Sequence, residues 1–220
     1  RKLLFFGFLI LFGLSFIARA ISSYLFTKHH EPELKLEKEY YFTLKQFIKK
    51  IPESNFGKFS VFVALIMFAT AIASPFFSVY MLNELHFSYK IWTLIVIASS
   101  LGSLLFIQLW GRFADRFGNL KVVEITGIYI PFVPLVWLLS PLVAGFNPSL
   151  LIVYLFVFEF ISGIMWAGFN LSSVNFIYDA ATRQRVALCV AYFNILSGIG
   201  VFVGASLGGL ISSVNLTFFG

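Results

Sequence analysis

The chain is poor in charge: Asp, Glu, Lys and Arg supply 12% of its 220 residues, about half the share usual in soluble domains. It has one cysteine, Cys189, which excludes a disulfide framework and any Cys/His cluster at metal-ligand spacing, and leaves a buried thiol as the expectation there. Of its three histidines, His29 and His30 are neighbours rather than one helical turn apart, which speaks against a metal site. No Gly-x-x-x-x-Gly-Lys-Ser/Thr loop is present, so ATP-driven transport has no support. His-Glu-x-x-His and Gly-x-Ser-x-Gly are also missing, and a membrane-embedded enzyme is the weaker functional class. Neither cofactor nor metal is implied.

What fills the chain instead is apolar: 59% hydrophobic residues, 29 of them Phe, and a mean hydropathy of +0.90. This composition is that of a polytopic membrane protein. Windows of about 20 apolar residues, long enough to cross the hydrocarbon core, fall at 3–26, 59–82, 91–110, 122–143, 150–177 and 187–213. All six should be helices, because lipid offers no partner for unpaired backbone groups, and the fold class is an all-α transmembrane bundle. The first span is followed by the one long polar interval, 27–58; the other connections are short, at about 83–90, 111–121, 141–149 and 178–186.

The pI near 9.5 and the net charge of +6 reflect topology rather than a nucleic-acid surface. Alternating sides places the intervals 27–58, 111–121 and 178–186 together, and these hold twelve of the 16 Lys and Arg. Only Arg1, Lys2 and Lys90 lie opposite, so the rich side is expected to be cytoplasmic, in the cell (inner) membrane. The sequon at Asn170 then lies inside a span and carries no glycan. Within 27–58, Tyr40, Tyr41, Leu44, Phe47 and Ile48 recur at helical spacing, with Lys38, Lys45, Lys49 and Lys50 mostly on other faces. Two readings stand: a helix on the inner leaflet, or a solvated linker.

The interval between the third and fourth spans reads Gly-Arg-Phe-Ala-Asp-Arg-Phe-Gly-Asn-Leu-Lys, residues 111–121. It resembles the signature of the major facilitator superfamily, Gly-x-x-x-Asp-Arg-x-Gly with trailing basic residues, through Gly111, Asp115, Arg116, Gly118 and Lys121. Asn119 and Leu120 depart from it. Gly111 is expected to allow close packing at a helix end, and Gly118 the positive φ of a tight reversal. The resemblance implies a gating hinge that latches neighbouring helices on the inner side, with Asp115 set against the helix that begins near Val186. Because the motif follows the third span and not the second, it also implies an internal fragment: residues 1–26 as the last helix of an N-terminal bundle, 27–58 as the central cytoplasmic loop, and 59–220 as five helices of a C-terminal bundle. That is six spans of an expected twelve; a native six-span protein would put the motif in the wrong place.

Polar residues inside spans are the candidates for a pathway. Glu159, Gly163, Trp166 and Asn170 share one face of the fifth span, with Ser162 and Ser173 at its edges. A carboxylate at that depth costs ~2.5–3.5 kcal/mol or more, so it should face protein or water, as a substrate or proton-coupling group or as a structural tie between helices. Thr70, Ser74, Phe77 and Met81 align on the second span, where Pro75 predicts a kink, and Ser99, Ser103, Phe106 and Trp110 align on the third. The resemblance implies that the second, third, fifth and sixth spans line a cavity. The aromatics there suit a solute with an apolar or ring-like surface, or equally a lipid face. Gly200, Gly204 and Gly208 on the sixth span predict close helix packing. Asn194 is a further pathway candidate, and Arg19 can reach the interface from the first span.

The expected function is a secondary carrier moving a small solute by alternating access, with protons as a candidate coupling ion, the lipid bilayer as its other partner and no nucleic acid. A receptor or assembly subunit that keeps the fold without transporting is the alternative, since function lives in sites.

Overall fold

A computed structural model describes residues 2–30 and 41–213. Every regular element among them is helical, and six helices or helix runs are long and apolar enough to cross a membrane. The chain divides into two units, Arg1–Glu37 and Lys38–Gly220.

The first unit is built on α1 (Lys2–Phe26), whose 25 residues give about 37 Å of helix, ample for one crossing. From Phe6 onward its large apolar side chains are exposed, Phe12 and Phe16 by 71% and 72%. Lys28 closes its end by resting its ammonium 4.7 Å from the centre of the Tyr24 ring.

The second unit begins with a short helix, α2 (Leu44–Lys50), started by a capping box: Thr43 Oγ1 accepts from the Gln46 amide while the Thr43 amide donates to Gln46 Oε1. Phe47 is buried, its ring stacked 5.3 Å from Tyr192 and tilted 5.7 Å from Phe56, and the Tyr192 hydroxyl donates to the Phe42 carbonyl. Tyr41 and Ile48 remain exposed. Among the described residues this interval therefore holds a helix of seven residues, docked through Phe47. Tyr40 and Lys38 lie outside the described residues.

The spans follow as α3 (Asn55–Val79), α4 (Tyr89–Phe117), the broken run α5 (Asn119–Tyr129) and α6 (Val133–Leu138), then α8 (Pro148–Ala180) and α9 (Val186–Ser213), with a short α7 (Ser140–Phe146) before α8. Ser54 caps α3 and Asn147 caps α8, where Pro148 takes the position at which its missing N–H does no harm. Three of the expected boundaries change. The helix α3 continues through Pro75, and its departure from α geometry is a π-helical turn at Tyr80–Glu84. The fourth span is not continuous to 143: Pro131 and Pro134 withhold two N–H donors, and the backbone tightens to a 3-10 turn at Ile130–Phe132. The interval expected to connect 141–149 is mostly α7.

Two helix pairs carry the packing, α4 with α8 and α3 with α9. Each is a seam made by glycine. A Cβ on Gly102 would overlap the Phe160 carbonyl, and one on Gly163 the Ser99 carbonyl. On the other seam Gly200, Gly204 and Gly208 lie against the carbonyls of Ala64, Phe68 and Ile72, so the predicted close packing is present. The unit has two apolar clusters, one around Phe59, Val63, Phe169 and Phe193, the other around Met81, Ile95, Trp137 and Leu155. Between the two clusters the second span runs from Val63 to Met81 and α8 from Phe158 to Phe169, which leaves a middle layer.

Candidate functional site

That middle layer is hollow. A cavity of about 360 Å³ is lined by α3 through Thr70, Ser74 and Phe77, by α4 through Ser99, by the 3-10 turn and its flanks through Pro131 and Pro134, and by α8 through Glu159, Ser162 and Trp166. Glu159 lies 11 residues beyond Pro148, about 17 Å along the axis of α8. Among the lining residues it is the sole charged side chain. The fourth span also carries two polar groups outside the lining, the Tyr129 hydroxyl and the Trp137 indole N–H. Both atoms are buried, and neither completes a hydrogen bond among the described residues. Trp137 is held in place by stacking on Phe77, with ring centres 4.7 Å apart and planes 12° from parallel.

A second depression, of about 440 Å³, opens beside the first along the α4–α8 seam, with Ser99, Ser100, Ser103, Gly163, Trp166 and Asn170 in its walls. Trp166 and Ser99 belong to both hollows. Below them Trp110 donates its indole N–H to the Ile164 carbonyl at 2.7 Å, its ring lying over Gly168.

The hinge differs from the expected polar loop. The helix α4 runs on to Phe117, and only Gly118 is non-helical, at φ 88° and ψ 151°, a region that L side chains rarely adopt. Gly111 lies inside α4 with open space where a Cβ would go, so close packing is not its reason. Asp115 is exposed and has no hydrogen-bond or ion-pair partner among the described residues. The tie across the hinge comes from Asn119, whose Nδ2 donates to Asp179 Oδ2 at 2.7 Å and joins the start of α5 to the end of α8. Arg116 places its guanidinium 5.2 Å from the Phe117 ring centre, and Lys121 pairs with Glu124 at 2.8 Å. With both partners half exposed, that ion pair contributes about 0–1 kcal/mol.

Over residues 59–219 the sequence matches the family model described as Major Facilitator Superfamily; the hinge and the last four spans of the second unit fall within that range, and α3 enters it at Phe59. The chain belongs to the major facilitator superfamily. It is an integral, multi-pass membrane protein of a transporter family. Comparison with curated proteins and with solved structures gives no match.

For this superfamily member the polar candidates divide. Ser74, Glu159 and Trp166 meet in one cavity. Asn170 lines only the adjoining depression, and Asn194 is an exposed residue of α9 that lines neither. The cavity wall is made by the second, third, fourth and fifth spans; α9 supplies none of it, contrary to the layout implied by resemblance. Met81 leaves the polar stripe to join an apolar cluster, and Ser173 is buried. The two prolines of the wall sit on a span that reads as uniformly apolar, so no polar stripe marks them. The Pro131/Pro134 spacing was the available signal.

Proposed function

We propose that this protein is a secondary active carrier that moves a small solute by alternating access and couples it to protons through Glu159. The observation that supports the reading most directly is one carboxyl at mid-span, opening into a cavity inside a superfamily bundle. An acid is costly at that depth and is kept where it faces a pathway. Glu159, Trp166 and Ser74 are the residues that would meet solute or proton. Asn170 belongs to the approach along the adjoining depression, and Asn194 to a face that a second bundle would complete. The intervals 27–58, 111–121 and 178–186 face the cytoplasm on the positive-inside rule. In the same reading α1 closes an N-terminal bundle, 27–58 is the central loop, and the described spans of the second unit belong to a C-terminal bundle.

Gating falls to the hinge of Gly111, Asp115, Arg116, Gly118 and Lys121. Opening toward the cytoplasm would separate α5 from the end of α8, and the Asn119–Asp179 bond is the contact such a motion breaks. A reconstituted protein should drive solute-dependent proton movement across a vesicle wall, read with an internal pH dye. Glu159→Gln should remove the proton signal. If solute uptake and proton movement are both unchanged in that variant, Glu159 is a structural tie. If no solute from a broad panel is taken up while several bind, the fold serves a receptor or assembly role.

A further inference from the structure

The composition of the cavity wall narrows the solute. Its lining is aliphatic, aromatic, proline and hydroxyl, with Glu159 as the one ionisable group and no Lys, Arg or His. An ionised carboxylate in such a place needs a positive partner, since a buried charge left unpaired is strongly destabilising. The fourth span adds no charge to the wall, since its lining residues are Ile130, Pro131, Val133 and Pro134. On α3 and α4 the polar groups in the wall are the hydroxyls of Thr70, Ser74 and Ser99, and Thr70 already donates to the Ile66 carbonyl at 2.7 Å. The missing positive charge is therefore left to a ligand.

The remaining wall selects the ligand's body. Phe77 and Trp166 border the same cavity as Glu159, each backed by a second ring: Trp137 lies 4.7 Å behind Phe77 and Phe169 lies 5.6 Å from Trp166. Aromatic faces are electron-rich and attract cations. An anion would meet a carboxylate and aromatic faces together. A polyol would find few hydroxyls to replace its hydration. At about 360 Å³ the cavity is at the small end of ligand sites, of the size of one or two fused rings with a small charged group.

We propose that the cavity is a site for a monovalent organic cation with a flat apolar body, its charge set against Glu159 and its body against Phe77 and Trp166. The solute class rests on the carrier reading only for its transport; binding does not depend on it. The test is calorimetric titration of the purified protein with three probes of one skeleton: phenyltrimethylammonium, its neutral isostere tert-butylbenzene, and benzenesulfonate. The cation should bind at least tenfold more tightly than the neutral compound, and the sulfonate should give no heat above dilution. Glu159→Gln should lose at least tenfold of the cation affinity and leave the neutral compound's unchanged. Phe77→Leu provides a second variant if Glu159→Gln does not fold, and should weaken the cation more than the neutral probe. Equal binding of cation and neutral probe, tighter binding of the sulfonate, or no binding by any of the three overturns the proposal. Cation binding without uptake into vesicles upholds the site and sinks the carrier reading. Uptake of neutral or anionic solutes with no cation binding does the reverse.

Discussion

The two glycine seams of the second unit solve one packing problem and differ in what they carry. Along α3–α9, three glycines spaced by four press against three carbonyls spaced by four, and the line is apolar throughout. Along α4–α8, Gly102 and Gly163 make equally close approaches, but the seam also holds an indole-to-carbonyl hydrogen bond and is flanked by serines, Trp166 and Glu159. Close backbone approach without polar side chains gives a joint. With polar side chains beside it, the same approach gives a joint with a site along its edge, because glycine leaves room for hollows next to the contact.

The comparison can be broken most forcefully by filling the seams. Gly163→Leu and Gly204→Leu each drive a side chain into a facing backbone carbonyl and should each cost about 3 kcal/mol or more, read as loss of folded protein in detergent melting. Gly111→Ala, placed where a Cβ meets nothing, should stay within about 0.5 kcal/mol of the parent. Tolerance at Gly204 but not at Gly163 would show that the apolar seam can slide while the polar one cannot.

Function should separate the seams next. Glu159→Gln should lower solute uptake at least tenfold, about 1.4 kcal/mol or more in transport terms. The melting temperature of the ligand-free protein should not fall, because the change removes a charge that no lining residue pairs with. Gly118→Ala should cost about 1–2 kcal/mol through its left-handed backbone alone. Trp110→Phe removes one hydrogen bond from the α4–α8 seam and should cost about 0.6–1.7 kcal/mol on the scale of interhelical bonds in membranes, measured by a double-mutant comparison with Gly168→Ala. Smallest of all, Asn194→Leu should leave both uptake and melting unchanged if the pathway is the cavity that α9 does not line. A large uptake defect there would move the site toward α9.

Much of this was legible beforehand for a simple reason. A span must be apolar over its whole length, so span number shows in composition alone, and Glu159 is conspicuous because it breaks that rule. The glycine ladder was readable for the same reason, as three small residues at one spacing. Asn119 shows the opposite case: it breaks the motif's pattern of basic residues, yet it makes the bond to Asp179, 60 positions away, and no spacing within either segment announces that pairing.

The sequence by itself determined that this is a membrane-spanning helical protein of the major facilitator superfamily, that a hinge follows the third span with a glycine at its left-handed turn, and that the fifth span carries an acid. Those are local properties: hydropathy over a window, backbone freedom at one residue, a charge in an apolar run. Only the tertiary structure decided which hydroxyls and rings share a cavity with Glu159, that the fourth span's prolines help to form its wall, and that Asn170 and Asn194 lie outside it. Helix rotation and partner choice depend on backbone contacts between residues far apart in the chain, and a helix that is apolar on every face does not state which side it will turn inward.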